Sequence, residues 1–125
     1  MPARVVLVHD RIERAEHRAT VLREAGFECV CFTKPLEALA ALEHARHIEL
    51  LITKGRFPKG NPNGASLALM AKSQCPKVRV LFTTTEEFRD AVSDIGDLLV
   101  VPASDDQFLA AVRAMIDETA DRKSA

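Results

Sequence analysis

Five short apolar runs punctuate the chain, and each is followed by a stretch whose apolar residues recur at helical spacing. The runs are RVVLV (4–8), ECVCF (28–32), ELLIT (49–53), VRVLF (78–82) and LLVV (98–101). They are continuous rather than alternating, the pattern of strands covered on both faces, so they predict a parallel sheet between two layers of helices. CVCF, with polar flanks, reads as an edge strand.

Local signals fix where the helices begin and end. Ser104 with Gln107 makes a capping box for DDQFLAAVRAMIDE, in which Phe108, Leu109, Val112, Met115 and Ile116 share one face. Thr84 with Glu87 is expected to open a shorter helix in the same way. Thr33 precedes KPLEALAALEHA, which places Pro35 in a first turn, where its missing N–H costs little. Gly26 follows RIERAEHRATVLREA as a C-terminal stop. No internal repeat, low-complexity tract or linker interrupts the alternation, so residues 1–125 read as a single domain with its core at about 4–118.

Right-handed crossovers leave few arrangements for five such units, and the commonest small one is a three-layer α/β/α fold with strand order 2-1-3-4-5. Ligands of that architecture bind beyond the carboxyl ends of the strands, where the order reverses. Four tips converge there: His9 and Asp10 after the first strand, Thr53 and Lys54 after the third, Thr83 and Thr84 after the fourth, Val101 and Pro102 after the fifth.

Composition narrows the chemistry. With Lys+Arg 17 against Asp+Glu 18, the net charge of -1 gives no electrostatic reason to expect nucleic acid or an anionic membrane as partner. The opening apolar run is too short for a signal peptide, and no stretch approaches the ~20 apolar residues of a membrane span, so a cytoplasmic protein is expected. Cys29, Cys31 and Cys75 are odd in number, and the first two alternate along one strand, which suits small buried hydrophobes better than a disulfide or zinc framework.

Several cofactor readings fail on the same residues. KGNPNGAS is a turn-rich loop without a dinucleotide or nucleotide-triphosphate fingerprint, and HDRIER offers no Gly, Ser or Thr to cradle a flavin phosphate. No cofactor is expected. His9 has no second histidine at helical or strand spacing and reads as a polar residue at the lip of a crevice. Thr83, Thr84 and Thr85 form an N-cap cluster that could also bind an anion.

Taken together, VVLVHD, GFECV, ELLITKGRFP, Gly64 opening a helix, RVLFTT and LLVVP resemble the receiver domain of bacterial two-component response regulators, the CheY-like fold, over essentially the whole chain. The resemblance implies a phosphorylation site of two acids that hold Mg²⁺, a phosphoacceptor aspartate, a Ser or Thr, and a Lys before Pro. Here Asp10 matches the second acid, but His9 stands at the first. Lys54, four residues before Pro58, stands where the phosphoacceptor would be. Thr84 and Pro102 match, Val101 replaces the lysine, and Leu98 occupies the aromatic switch position. The loop between Pro58 and Gly64 is two residues longer than usual.

These departures predict a degenerate receiver with no catalytic residue and no metal. An acyl phosphate needs a carboxylate nucleophile and a divalent ion with hard oxygen ligands. An ammonium roughly 5 Å from that ion would repel it by ~6–7 kcal/mol at an effective dielectric of ~20. Two arrangements of Lys54 are open: it reaches back to Asp10 in place of the metal, or it snorkels to solvent.

The implied role is a stand-alone, non-enzymatic signalling module of the phosphorelay type that works through protein contacts, with no DNA-binding output domain expected after Ala125. Its partner would be a histidine kinase or another response regulator, and a homodimer would use the fourth helix, fifth strand and fifth helix. The competing reading is a small-anion-binding domain or enzyme that uses Asp10, Lys54 and Thr84 as its crevice.

Overall fold

The computed structural model describes residues 4–44 and 47–124, with the surroundings of side chains given through residue 116. Five parallel strands, β1 (Arg4–Val8), β2 (Glu28–Phe32), β3 (Leu50–Thr53), β4 (Arg79–Thr84) and β5 (Asp97–Val100), form one sheet in the order β2-β1-β3-β4-β5. The helices are α1 (Ile12–Glu24), α2 (Pro35–His44), α3 (Gly64–Gln74), α4 (Arg89–Val92) and α5 (Asp105–Ser124). This is the three-layer α/β/α architecture that the apolar runs imply.

Strand alternation sorts the core into two halves. Val5, Leu7, Leu50, Ile52 and Leu81 pack with Ala19 and Leu22 of α1 and Phe108, Val112 and Met115 of α5. Val6, Val8, Leu51, Val80 and Phe82 face the other way, onto α2, α3 and Val92 of α4. All four residues of β3 are buried, as expected of a strand with neighbours on both edges and both faces. Leu109 and Ile116 lie against the core half that holds Phe108, so the predicted face of the last helix is the one that packs.

The helix ends are chemically specified. Ser104 accepts from the backbone N–H of Gln107 at 3.1 Å, and the Gln107 side chain accepts from the Ser104 N–H at 2.9 Å, a reciprocal capping box. Gly26 adopts φ +96°, a left-handed turn in which the Phe27 N–H returns to the Leu22 carbonyl. Asn63 caps α3 by accepting from the Ser66 N–H at 2.8 Å.

The fourth helix departs from expectation. Thr84 does not cap it, because β4 runs on through Thr83 and Thr84, which pair with Leu99 and Val100 of β5. The cap position falls on Thr85, whose hydroxyl is spent on the Glu87 carboxylate rather than on a backbone N–H. Beyond it the chain makes a 3₁₀ turn (Glu86–Phe88) and a single α-turn, tied by an exposed Glu86–Arg89 ion pair. The strand ends also shift by a residue or two: β3 begins at Leu50, β4 at Arg79 and β5 at Asp97.

β2 is a sheet edge. The Phe32 carbonyl accepts from the His9 N–H, so Phe32, Val30 and Glu28 turn their backbone groups toward β1, and Cys29 and Cys31 turn theirs outward. The outward Cys29 carbonyl accepts from the Arg23 guanidinium of α1 at 3.0 Å. The Cys29 side chain is buried, and burial pushes its thiol up to about 11. At neutral pH it stays protonated, as a small core hydrophobe does.

Candidate functional site

The carboxyl ends of β1, β3 and β4 set the site. Leu7, Ile52 and Leu81 are paired across these strands, so two positions further on His9, Lys54 and Thr83 form the next row on the same side of the sheet. Asp10 follows His9 in the turn into α1. The Lys54 ammonium lies 2.5 Å from Asp10 Oδ1, with the two side chains 28% and 23% exposed. Of the two arrangements open from the sequence, the lysine adopts the pair.

Electrostatics follow from that contact. Burial pushes the Asp10 carboxyl upward, but the hydrogen bond and charge of Lys54 more than reverse it and hold the group below its ordinary value. His9 is only 6% exposed. Its Nδ1 accepts the backbone N–H of Arg11 at 3.0 Å. Burial, then the charges of Lys54, Arg18 and Arg14, lower its pKa to about 4, against a smaller opposing effect of Asp10. The ring is therefore neutral at pH 7, and its 3.6 Å approach to Asp10 is not an ion pair. With Nδ1 accepting, the single ring proton sits on Nε2.

Arg18 is a residue that motif reading passes over. Its Nη1 donates to Thr83 Oγ1 at 3.3 Å, and its guanidinium lies 5.3 Å from the centre of the Phe108 ring. The sequence does carry a signal for it: Ala15, Ala19 and Leu22 are the buried positions of α1, and 18 belongs to the same i, i+3, i+4, i+7 stripe. An arginine on the inward stripe of a short helix has to reach a polar group, and Thr83 is that group.

Thr84 is placed apart from this row. A Cβ built on Gly55 would lie 2.7 Å from Thr84 Oγ1 and 3.0 Å from the Phe88 ring, so the Thr84 hydroxyl and the Phe88 ring occupy the space beside the glycine. Arg56 stacks over Phe88 at 5.3 Å. Gly64 donates its N–H to the Gly55 carbonyl at 2.9 Å, which docks the start of α3 on the tip of β3. Val101 is tied to the tip of β4 through its backbone, its N–H donating to the Thr84 carbonyl at 3.0 Å. Leu98 is partly buried and packs against the core half that contains Phe82 and Val92.

The structure thus gathers His9, Asp10 and Lys54, sets Thr84 behind Gly55, and leaves Val101 and Leu98 as backbone and core contacts. Among the described residues, no group of three or more His, Cys, Asp or Glu side chains is placed so that it could hold a metal ion, and no helix is long and apolar enough to cross a membrane.

No protein-family model matches the sequence. The fold, however, is similar to that of a CheY-like response regulator receiver domain protein from Methanospirillum hungatei JF-1, with a TM-score of 0.87, 18% identity, and 98% of this chain and 99% of that one covered. The chemotaxis protein CheY4 of Vibrio cholerae superposes with a TM-score of 0.81 at 24% identity, over 92% of this chain and 99% of that one. A response regulator receiver domain protein from Clostridium thermocellum gives 0.82 at 20%, over 94% and 96%. The chain has the fold of CheY-like receiver domains.

Proposed function

We propose that the protein is a degenerate receiver: a signalling module of the phosphorelay type that takes no phosphoryl group and works through protein contacts. The Lys54–Asp10 contact carries this reading. Lys54 stands where the resemblance to receiver domains puts the phosphoacceptor, and its ammonium lies on Asp10, the carboxylate to which that resemblance gives the role of metal ligand.

The residues do not suit Mg²⁺. A hard dication wants several oxygen donors in octahedral array. Asp10 already balances an ammonium, and the neighbouring His9 is a neutral imidazole whose Nδ1 is engaged by Arg11. A lysine in the middle of the row makes the site electrostatically complete without an ion. The inward-packed Leu98 supports the same reading, because an aliphatic side chain fixed against the core provides no aromatic ring to swing.

For a homodimer, α4, β5 and α5 remain the proposed face, although α4 offers only one turn. Partners of the proposed module are a histidine kinase or another response regulator. Intact-mass measurement after incubation with Mg²⁺ and acetyl phosphate tests the chemistry: an unchanged mass is expected, and a stoichiometric phosphoryl adduct overturns the reading. Sedimentation with Mg²⁺ and beryllofluoride tests the switch. One unchanged state is expected, and a shift in oligomeric state would contradict it. Affinity capture with the immobilised protein should return a kinase or regulator of the two-component class.

A further inference from the structure

We infer that the outer faces of α2 and α3 form a docking surface for an acidic amphipathic helix of a partner protein, seated on Leu36, Leu69 and Met70. This surface is separate from the face of α4, β5 and α5, and it stands whether or not the partner belongs to a phosphorelay.

Two neighbouring helices build its apolar part. α2 and α3 pack side by side on one face of the sheet, and Gln74, at the end of α3, donates to the Glu43 carboxylate near the end of α2 at 3.2 Å. Both helices return from the carboxyl ends of parallel strands, so they run in the same direction. Leu36 lies seven residues before Glu43 and Met70 four before Gln74. Each therefore stands on the stripe of its helix that borders the other, within one turn of its counterpart. Leu67, Ala68 and Ala71 fill the inward stripe of α3, which turns Leu69 outward beside Met70. Leu36 and Leu69 are each 57% exposed and Met70 38%, so half of the six large apolar side chains exposed among the described residues lie on this one pair of helices. An unbranched methionine among them adapts to the shape of an incoming side chain.

Charge selects the partner. From Leu50 to Thr85 the chain carries six Lys and Arg and no Asp or Glu. Arg56 and Lys59 belong to the loop that leads into α3, and Lys72 and Lys77 stand at and just beyond its far end, so cations flank the apolar patch at both ends. Among the described residues none of these four has a carboxylate within ion-pair distance. The acids of α2 are Glu37 and Glu43, and Glu43 already accepts from Gln74. An apolar centre with a mainly cationic rim fits a helix that presents leucines at i, i+3, i+4 and i+7 between glutamates. A second copy of this chain fits poorly, because a two-fold contact through α3 would set Lys72 and Lys77 against themselves.

The test is a titration of the full chain with a synthetic helical peptide of about 18 residues, five turns, that carries leucines at that spacing and glutamates elsewhere. Its counterpart with lysine in place of each glutamate is the control. Amide NMR shifts and fluorescence anisotropy read the binding. The acidic peptide is expected to bind saturably, with shifts concentrated on α2 and α3, and the basic peptide is not. The double variant Leu69→Gln, Met70→Gln, which changes only exposed positions, should weaken binding about tenfold or more. Lys72→Glu with Lys77→Glu should weaken it similarly, and Val100→Gln on β5 should leave it unchanged. The inference is overturned if no saturable binding occurs, if the basic peptide binds equally well, if the shifts fall on α4, β5 and α5, or if the Leu69 and Met70 double variant binds undiminished. Sedimentation of the chain alone should show no association through this face. A self-association that the same double variant abolishes would make the face a contact between copies and would overturn the inference too.

Discussion

The ammonium of Lys54 and the carboxylate of Asp10 meet at 2.5 Å across the tips of two neighbouring strands, each about one quarter exposed. Replacing either partner leaves the other partly desolvated and uncompensated. Lys54→Met is expected to cost ~1–3 kcal/mol and Asp10→Asn somewhat less, with the double variant costing less than the sum. Urea unfolding of the four proteins measures the coupling. A value indistinguishable from zero would mean that the pair contributes no more than an exposed one.

His9 predicts a pH dependence with a definite sign. Its proton affinity is lower in the folded state, with a pKa of about 4, than in the unfolded chain, where it is near 6.5. The unfolded state thus binds more protons through that window, and stability rises with pH. The groups acting on the ring are Lys54 on β3, Arg18 and Arg14 on α1, and Asp10 beside it. Between about pH 7 and about pH 5 the loss should reach ~2 kcal/mol, and His9→Asn should flatten that part of the profile.

Gly64 and Gly55 should respond very differently to a methyl group. A Cβ at Gly64 would sit 1.7 Å from the Lys54 carbonyl oxygen, which is backbone and cannot step aside. Gly64→Ala is therefore expected to destabilise by ~3 kcal/mol or more, despite the gain in helix propensity of ~1 kcal/mol. At Gly55 the nearest atoms belong to the side chains of Thr84 and Phe88, which can shift. Gly55→Ala should cost less, and thermal melts of the two variants rank them.

Two threonine and serine positions test the helix starts. Ser104→Ala removes a capping hydrogen bond to Gln107 and should cost ~1 kcal/mol. Thr85→Ala removes only a contact with an exposed glutamate and should stay within ~0.5 kcal/mol. Equal losses at both sites would show that Thr85 caps its turn after all.

Apolar runs and caps make most of this fold legible from sequence, because the buried strands of a parallel sheet leave their signature in every residue. RVVLV, LLIT and the face of Phe108, Val112 and Met115 are of this kind. The fourth helix was not legible. Three consecutive threonines present three equivalent caps, and the choice among them is made by β5, whose pairing with Thr83 and Thr84 draws both into the strand. The Lys54–Asp10 pair could be posed from the alignment of strand tips but not decided, since reach and solvation depend on the turn into α1. Arg18 stayed hidden because a long cation on a helix reads as solvent-facing until Ala15, Ala19 and Leu22 show which stripe is buried.

The bond from Arg23 to the Cys29 carbonyl reaches beyond the strand it touches. An edge strand with free outward groups is a template on which another chain can add a strand, and Val30, nearly half exposed, would make such an addition adhesive. By placing a charged, bulky side chain on the Cys29 carbonyl, α1 takes one outward acceptor of this border away from an incoming strand. A strand added at the β2 border would have to displace that guanidinium before it could pair with Cys29, so the contact disfavours indiscriminate strand addition at this point of the edge.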